Sequence, residues 1–97
     1  MNEILKTILN QMGGLARIRI MTGAKVLFDN ERNLLQLNLG KVAAGYAKIF
    51  EVAYDMGRDL YNVKTYNKKN NVMEELKGVY CDELINLFEE KTGYYLF

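Results

Sequence analysis

Leu35, Leu37 and Leu39 alternate with Gln36 and Asn38. Successive side chains on a strand point to opposite faces, so this run predicts a strand with one apolar and one polar face. The pattern returns twice. Within Tyr46–Tyr54, Phe50, Val52 and Tyr54 share one face while Ile49 and Ala53 share the other. Within Leu60–Tyr66, Tyr61, Val63 and Thr65 share a face. Both runs are rich in the β-branched and aromatic residues that suit a pleated surface. Lys25–Phe28 precedes the first leucine run across Asp29-Asn30-Glu31-Arg32-Asn33, a polar turn. Met56–Asp59 and Asn67–Asn71 are further turns of the same kind. The lysines of the latter also discourage pairing between sheet edges. A chain punctuated in this way folds around an antiparallel sheet with one face to bury.

Amphipathic helices flank the strands. Ile4, Leu5, Ile8, Leu9 and Met12 recur at three- and four-residue spacing, with Asn2 placed to cap the helix and Gly13-Gly14 to end it. That helix is too short to be stable alone and must dock. Leu84, Ile85, Leu87 and Phe88 form the stripe of a last helix. Asp82 and Glu83 suit its positive end, Lys91 its negative end and Gly93 its termination. Two stretches are ambiguous. Residues 15–24 fit either a strand, through Arg17-Ile18-Arg19-Ile20, or a short helix, which we favour. Val72–Tyr80 fits a helix by propensity or an edge strand, with Gly78 as a break. The expected fold is one α+β domain over residues 1–97. It has an antiparallel sheet of three to four strands, with an N-terminal and a C-terminal helix packed on one face. Tyr94-Tyr95-Leu96-Phe97 is too apolar to fray and should be tied down.

Composition removes several chemistries. The 97 residues contain no His and one Cys. A Ser-His-Asp or Cys-His site cannot be built, nor can a zinc site of the finger kind. Cys81 has no partner for an internal disulfide, which fits a reducing cytoplasm. We read it as a half-buried small residue. Thr22-Gly23-Ala24-Lys25 lacks the spacing of a phosphate-binding loop and reads as a helix stop. No apolar run is long enough to span a membrane, and the opening segment does not have the layout of a signal peptide. The expectation is a non-enzyme with no cofactor, no metal and no membrane association.

The net charge of +1 conceals an asymmetry. Residues 1–50 carry seven Lys/Arg and three Asp/Glu, whereas residues 51–97 carry six and nine. Arg17, Arg19, Lys25 and Lys48 form a candidate basic strip for weak, salt-dependent nucleic-acid binding, with tyrosine as a stacking platform. The plainer reading of that strip is a solvated face opposite Ile18 and Ile20. Glu74, Glu75, Asp82, Glu83, Glu89 and Glu90 make the last third acidic. That face is either solvated or an imitation of a nucleic-acid backbone. Seven tyrosines are many for this length. Tyrosine is enriched at interfaces, and buried hydroxyls need partners, so a tyrosine-bearing contact surface is the best lead. The candidate protein-binding residues are Tyr54, Tyr61, Tyr66, Glu83, Glu90, Tyr94 and Tyr95.

Five blocks give the chain a resemblance. They are Ile8-Leu9-Asn10-Gln11-Met12-Gly13-Gly14, Met21-Thr22-Gly23-Ala24-Lys25, Tyr46-Ala47-Lys48-Ile49, Asp59-Leu60-Tyr61-Asn62-Val63, and Gly78-Val79-Tyr80 with Leu84, Phe88 and Thr92-Gly93-Tyr94-Tyr95. In this order they resemble a family of short proteins encoded by phages, prophages and conjugative elements of gut and other low-GC bacteria. The resemblance implies a setting, the cytoplasm of a bacterial host, and supplies no activity or site residues. The expected function is an accessory protein that works by contact with a protein partner. Inhibition of a host factor is one form of such contact, and the partner includes a second copy of the chain. The alternative is a small nucleic-acid-binding accessory protein.

Overall fold

The computed structural model describes all 97 residues. The elements are α1 (Glu3–Gln11), α2 (Leu15–Thr22), β1 (Lys25–Asp29), β2 (Leu34–Asn38), β3 (Ile49–Asp55), β4 (Leu60–Tyr66), β5 (Val72–Val79) and α3 (Leu84–Thr92). A short 3-10 turn, Cys81–Glu83, leads into α3. The five strands form one antiparallel meander in the order β1-β2-β3-β4-β5. The architecture is α+β, with five strands where three to four were expected.

The extra strand is Val72–Val79. Glu74, Glu75, Leu76 and Lys77 favour helix as isolated residues. Here the Asn67–Asn71 turn delivers them alongside β4, and pairing of Val63 with Leu76 and Thr65 with Glu74 overrides that preference. Gly78 does not break the chain. It takes φ +71 inside β5, where the register shifts between Tyr61 and Val63, so it makes a bulge that a residue with a Cβ would strain. Residues 46–48, expected to begin a strand, belong instead to the connection from β2. The ladder there is closed by the Leu39 N–H donating to the Lys48 carbonyl at 2.8 Å. Ala47 N–H turns away to the Lys91 carbonyl, also at 2.8 Å.

Register builds the core face directly. Leu35 lies opposite Val52, Leu37 opposite Phe50 and Val52 opposite Val63. These side chains are buried in one cluster with Leu5, Ile8, Leu9 and Met12 at α1, Ile18 of α2, and Leu84 and Phe88 of α3. The Phe88 ring meets Phe50 edge-on, with centroids 5.3 Å apart. Burying each such side chain stabilises the fold by about 1.5–3 kcal/mol. The opposite face is mixed and part-covered, with Leu34, Ile49 and Ala53 beside Gln36, Glu51 and Tyr66. At its centre Gln36 and Tyr66 both donate to Glu51 Oε1, at 2.8 and 3.2 Å. Those bonds let the carboxylate sit only 7% exposed.

Asn2 starts α1 as the sequence predicts, its Oδ1 accepting from Leu5 N–H at 2.9 Å. Its amide also donates to Asn33 Oδ1 at 2.7 Å, which fixes the helix start against the β1–β2 turn. The ambiguous segment 15–22 is helical. On a helix, residues two apart point to different sides. Ile18 is therefore buried and Ile20 is 81% exposed, so no solvated face lies opposite both. Cys81 is exposed, not half-buried.

The apolar tail is held. Leu96 is fully buried, and its N–H donates to Glu89 Oε2 at 2.8 Å. Arg17 donates to the Leu96 carbonyl at 3.3 Å and stacks its guanidinium 4.5 Å from the Phe97 ring centroid. Gly13, at φ +105, gives the tail its seat, because a Cβ there would stand 3.1 Å from Phe97. Leu96→Ala is expected to cost about 2–5 kcal/mol by cavity formation. Phe97→Ala, which removes an exposed cation–π contact, should cost about 0.5–1 kcal/mol. Denaturant midpoints measure both. An unchanged midpoint for Leu96→Ala would mean that the tail does not contribute to the core.

Candidate functional site

Most of the expected contact residues are engaged inside the molecule. Tyr61 is buried and its hydroxyl donates to Gln11 Oε1 at 2.7 Å. Tyr54 lies opposite it on β3, rings 5.8 Å apart, with its hydroxyl donating to Asp59. Tyr66 sits on the other face of the sheet, bound to Glu51. The Tyr94 hydroxyl donates to the Lys41 carbonyl. Glu83 accepts from Tyr80 N–H at 3.0 Å as part of the cap that starts the last helical segment. Glu90 is exposed and pairs with Lys91 Nζ at 3.6 Å. Of the five candidate tyrosines, Tyr95 alone stands exposed without a hydrogen bond from its hydroxyl. They do not converge on one surface.

The surroundings of Tyr54, Tyr61 and Tyr66 favour the protonated hydroxyl. The hydrogen bond to Asp59 raises the pKa of Tyr54, and burial raises those of Tyr61 and Tyr66. Each remains a donor through the neutral range. Lys91 is also held up, chiefly by its bond to Glu74 at 3.0 Å. Four of the seven tyrosines thus pin the β3–β4 turn, α1, Glu51 and the tail.

The basic residues regroup. Arg17 is committed to the tail, and Arg19 sits two positions along the same helix, on a different side. Lys25 starts β1. Only Lys48 joins other cations. With Lys41 and Lys68 it lines a cleft of about 380 Å³. Lys68 and Lys69 continue into a neighbouring cleft of about 580 Å³ that also holds Tyr46 and Met73. No acidic residue lines either cleft, and none of the four lysines has an ion-pair partner in the chain. The 40–48 connection and the 67–71 turn bring these lysines together. Their sequence separation hides the grouping.

The surface that sequence reasoning missed is the edge of the sheet. A meander has two edges, and this one treats them differently. β5 carries Glu74, Glu75 and Lys77 and a glycine bulge, all of which oppose pairing with another strand. β1 is Lys25-Val26-Leu27-Phe28-Asp29, with charges only at its ends. Leu27 is 40% and Phe28 48% exposed.

The hydrogen-bond phase shows which backbone groups are free. Tyr54 N–H donates to the Asn33 carbonyl at 3.0 Å, and Leu39 N–H to the Lys48 carbonyl. The odd-numbered residues of β2 thus turn their backbone groups to β3, and Leu34, Gln36 and Asn38 turn theirs to β1. Their partners are Asp29, Leu27 and Lys25. The N–H and C=O of Val26 and Phe28 therefore point away from the sheet, along an open edge.

No group of His, Cys, Asp and Glu is arranged to hold a metal ion, and no helix is long and apolar enough to cross a membrane. No family model, curated protein or solved structure matches the chain. The functional reading rests on these surfaces.

Proposed function

We propose that this chain is a non-enzymatic accessory protein of a phage or other mobile element, acting by protein contact, and that the open edge of β1 is the contact surface. One observation carries the reading. β1 presents two outward-facing backbone donors and two acceptors, flanked by exposed Leu27 and Phe28, with charges only at its two ends and no bulge of the kind that guards β5. An extended segment of a partner can add to such an edge, main-chain bonds giving affinity and alternate side chains giving specificity. The mobile-element setting is supported by the resemblance of the five blocks. Inhibition of a host factor fits this mode, because a strand added to an edge blocks whatever else used it.

Val26→Pro tests the surface. Proline is tolerated on an edge strand where the lost N–H faces solvent, and since Val26 also packs against the core the variant should fold with a stability loss of about 1–3 kcal/mol. It should lose association with any protein partner, itself included, in sedimentation and cross-linking. Full association by a folded Val26→Pro chain would contradict the reading.

The lysine-lined clefts favour a second reading, nucleic-acid binding, now centred on Lys41, Lys48, Lys68 and Lys69 with Tyr46 beside them. The strip of Arg17, Arg19 and Lys25 is set aside, since Arg17 is engaged with the tail and Arg19 lies on a different side of α2. Three or four phosphate contacts give a salt slope of about −2 to −3 on single strands. Lys48→Ala with Lys68→Ala should flatten that slope in a titration of a fluorescent oligonucleotide. No binding at low salt would remove this reading.

A further inference from the structure

We infer that the occupant of the β1 edge is the β1 edge of a second copy of this chain, paired antiparallel about a two-fold axis between the two Leu27 residues. The inference rests on the contact reading above and names its partner.

Three features of the strand select this occupant and this register together. The first is the hydrogen-bond phase. With Leu27 opposite its own copy, Val26 lies opposite the copy's Phe28, and Phe28 opposite the copy's Val26. Those are the two residues whose N–H and C=O point outward. Each of the two pairs exchanges both bonds, so every free donor and acceptor of the edge is satisfied at once. Centring the axis on Val26 or Phe28 instead takes the other outward residue beyond the partner strand, because β1 runs only from Lys25 to Asp29.

The second feature is charge. In the same register Lys25 faces the copy's Asp29, and Asp29 faces the copy's Lys25. Lys25 has no ion-pair partner within the chain. Asp29 uses Oδ1 to accept from the Glu31 and Arg32 N–H groups at 3.0 and 3.3 Å, which leaves Oδ2 for a cation. Opposite charges directly across a pair favour association, whereas parallel pairing would set like on like.

The third feature is side-chain pairing. Val26 and Phe28 lie on the face of Leu35 and Leu37, so Val–Phe pairs form on the helix-covered side, a favoured aromatic and β-branched match. The Leu27 pair forms on the other face, at a non-hydrogen-bonded position where side chains come closest. A two-fold of this kind makes the contact isologous and closed, which gives a dimer and not a fibre. The seam is only five residues per copy. The expected association is therefore in the micromolar range, not obligate.

The test is cross-linking by position. In a Cys81→Ser background, Leu27→Cys places two thiols across a non-hydrogen-bonded pair with Cα atoms about 4.5 Å apart, within disulfide reach. It should give a disulfide-linked dimer under mild oxidation. Lys25→Cys in the same background should give none, since the two copies stand about 13 Å apart along the strand. Sedimentation of the unmodified chain should show a monomer–dimer equilibrium. Lys25→Asp, which sets like charges across the seam twice, should weaken it about tenfold with the fold unchanged by circular dichroism. A monomer at all concentrations up to millimolar, with no Leu27 cross-link, would overturn self-pairing. A different partner lost on Val26→Pro would then still uphold the contact reading. A dimer that cross-links through Lys25→Cys and not Leu27→Cys would overturn the register.

Discussion

Everything in this fold follows from the need to bury one face of a twisted meander of five strands. Leu35, Leu37, Phe50, Val52 and Val63 cannot face water together, and no second sheet exists to cover them. The three helices and Leu96 supply the cover. None of the helices exceeds nine residues, so each depends on that docking for its own stability. Sheet and helices are thus conditional on one another. Phe50 against Phe88 is the point where this dependence is most direct.

Covering a face does nothing for the edges. An antiparallel meander leaves its first and last strands with a row of unpaired backbone groups. Natural sheets counter this with charges, bulges or short strands. β5 uses two of these devices and β1 uses only brevity. The asymmetry has no structural necessity, since a lysine at position 27 would point to the partly solvated face. This unguarded edge is the surface we propose for a partner.

The sheet was legible where period-two patterning is strong. Leu34–Leu39 and Leu60–Tyr66 are strands within a residue of expectation. α1 and its Asn2 cap were equally readable, because capping chemistry is local. The choice left open at Val72–Val79 and the misread start of β3 share a cause: competition from tertiary structure. Val72–Val79 carries helix-forming residues that neighbouring β4 recruits as a strand. Tyr46 reads as strand but lies beyond the last ladder bond at Lys48. The tyrosines show why site prediction was harder. A surplus of amphipathic side chains signals either an interface or an interior rich in polar anchors. Only in the folded chain do Tyr54, Tyr61, Tyr66 and Tyr94 find their partners. The open edge left no mark in composition. It depends on the strand order and on the parity of hydrogen bonding between β1, β2 and β3, which no single segment encodes.

Site-resolved amide exchange through β1 tests the central claim most directly. In dilute solution Leu27 N–H, bonded to β2, should be protected, while Val26 and Phe28 N–H should exchange at nearly unprotected rates. Raising the concentration should protect Val26 and Phe28 together and leave Leu27 as it was. Protection of Val26 and Phe28 already present in dilute solution, or exchange at both that never responds to concentration or to any partner, would contradict the account.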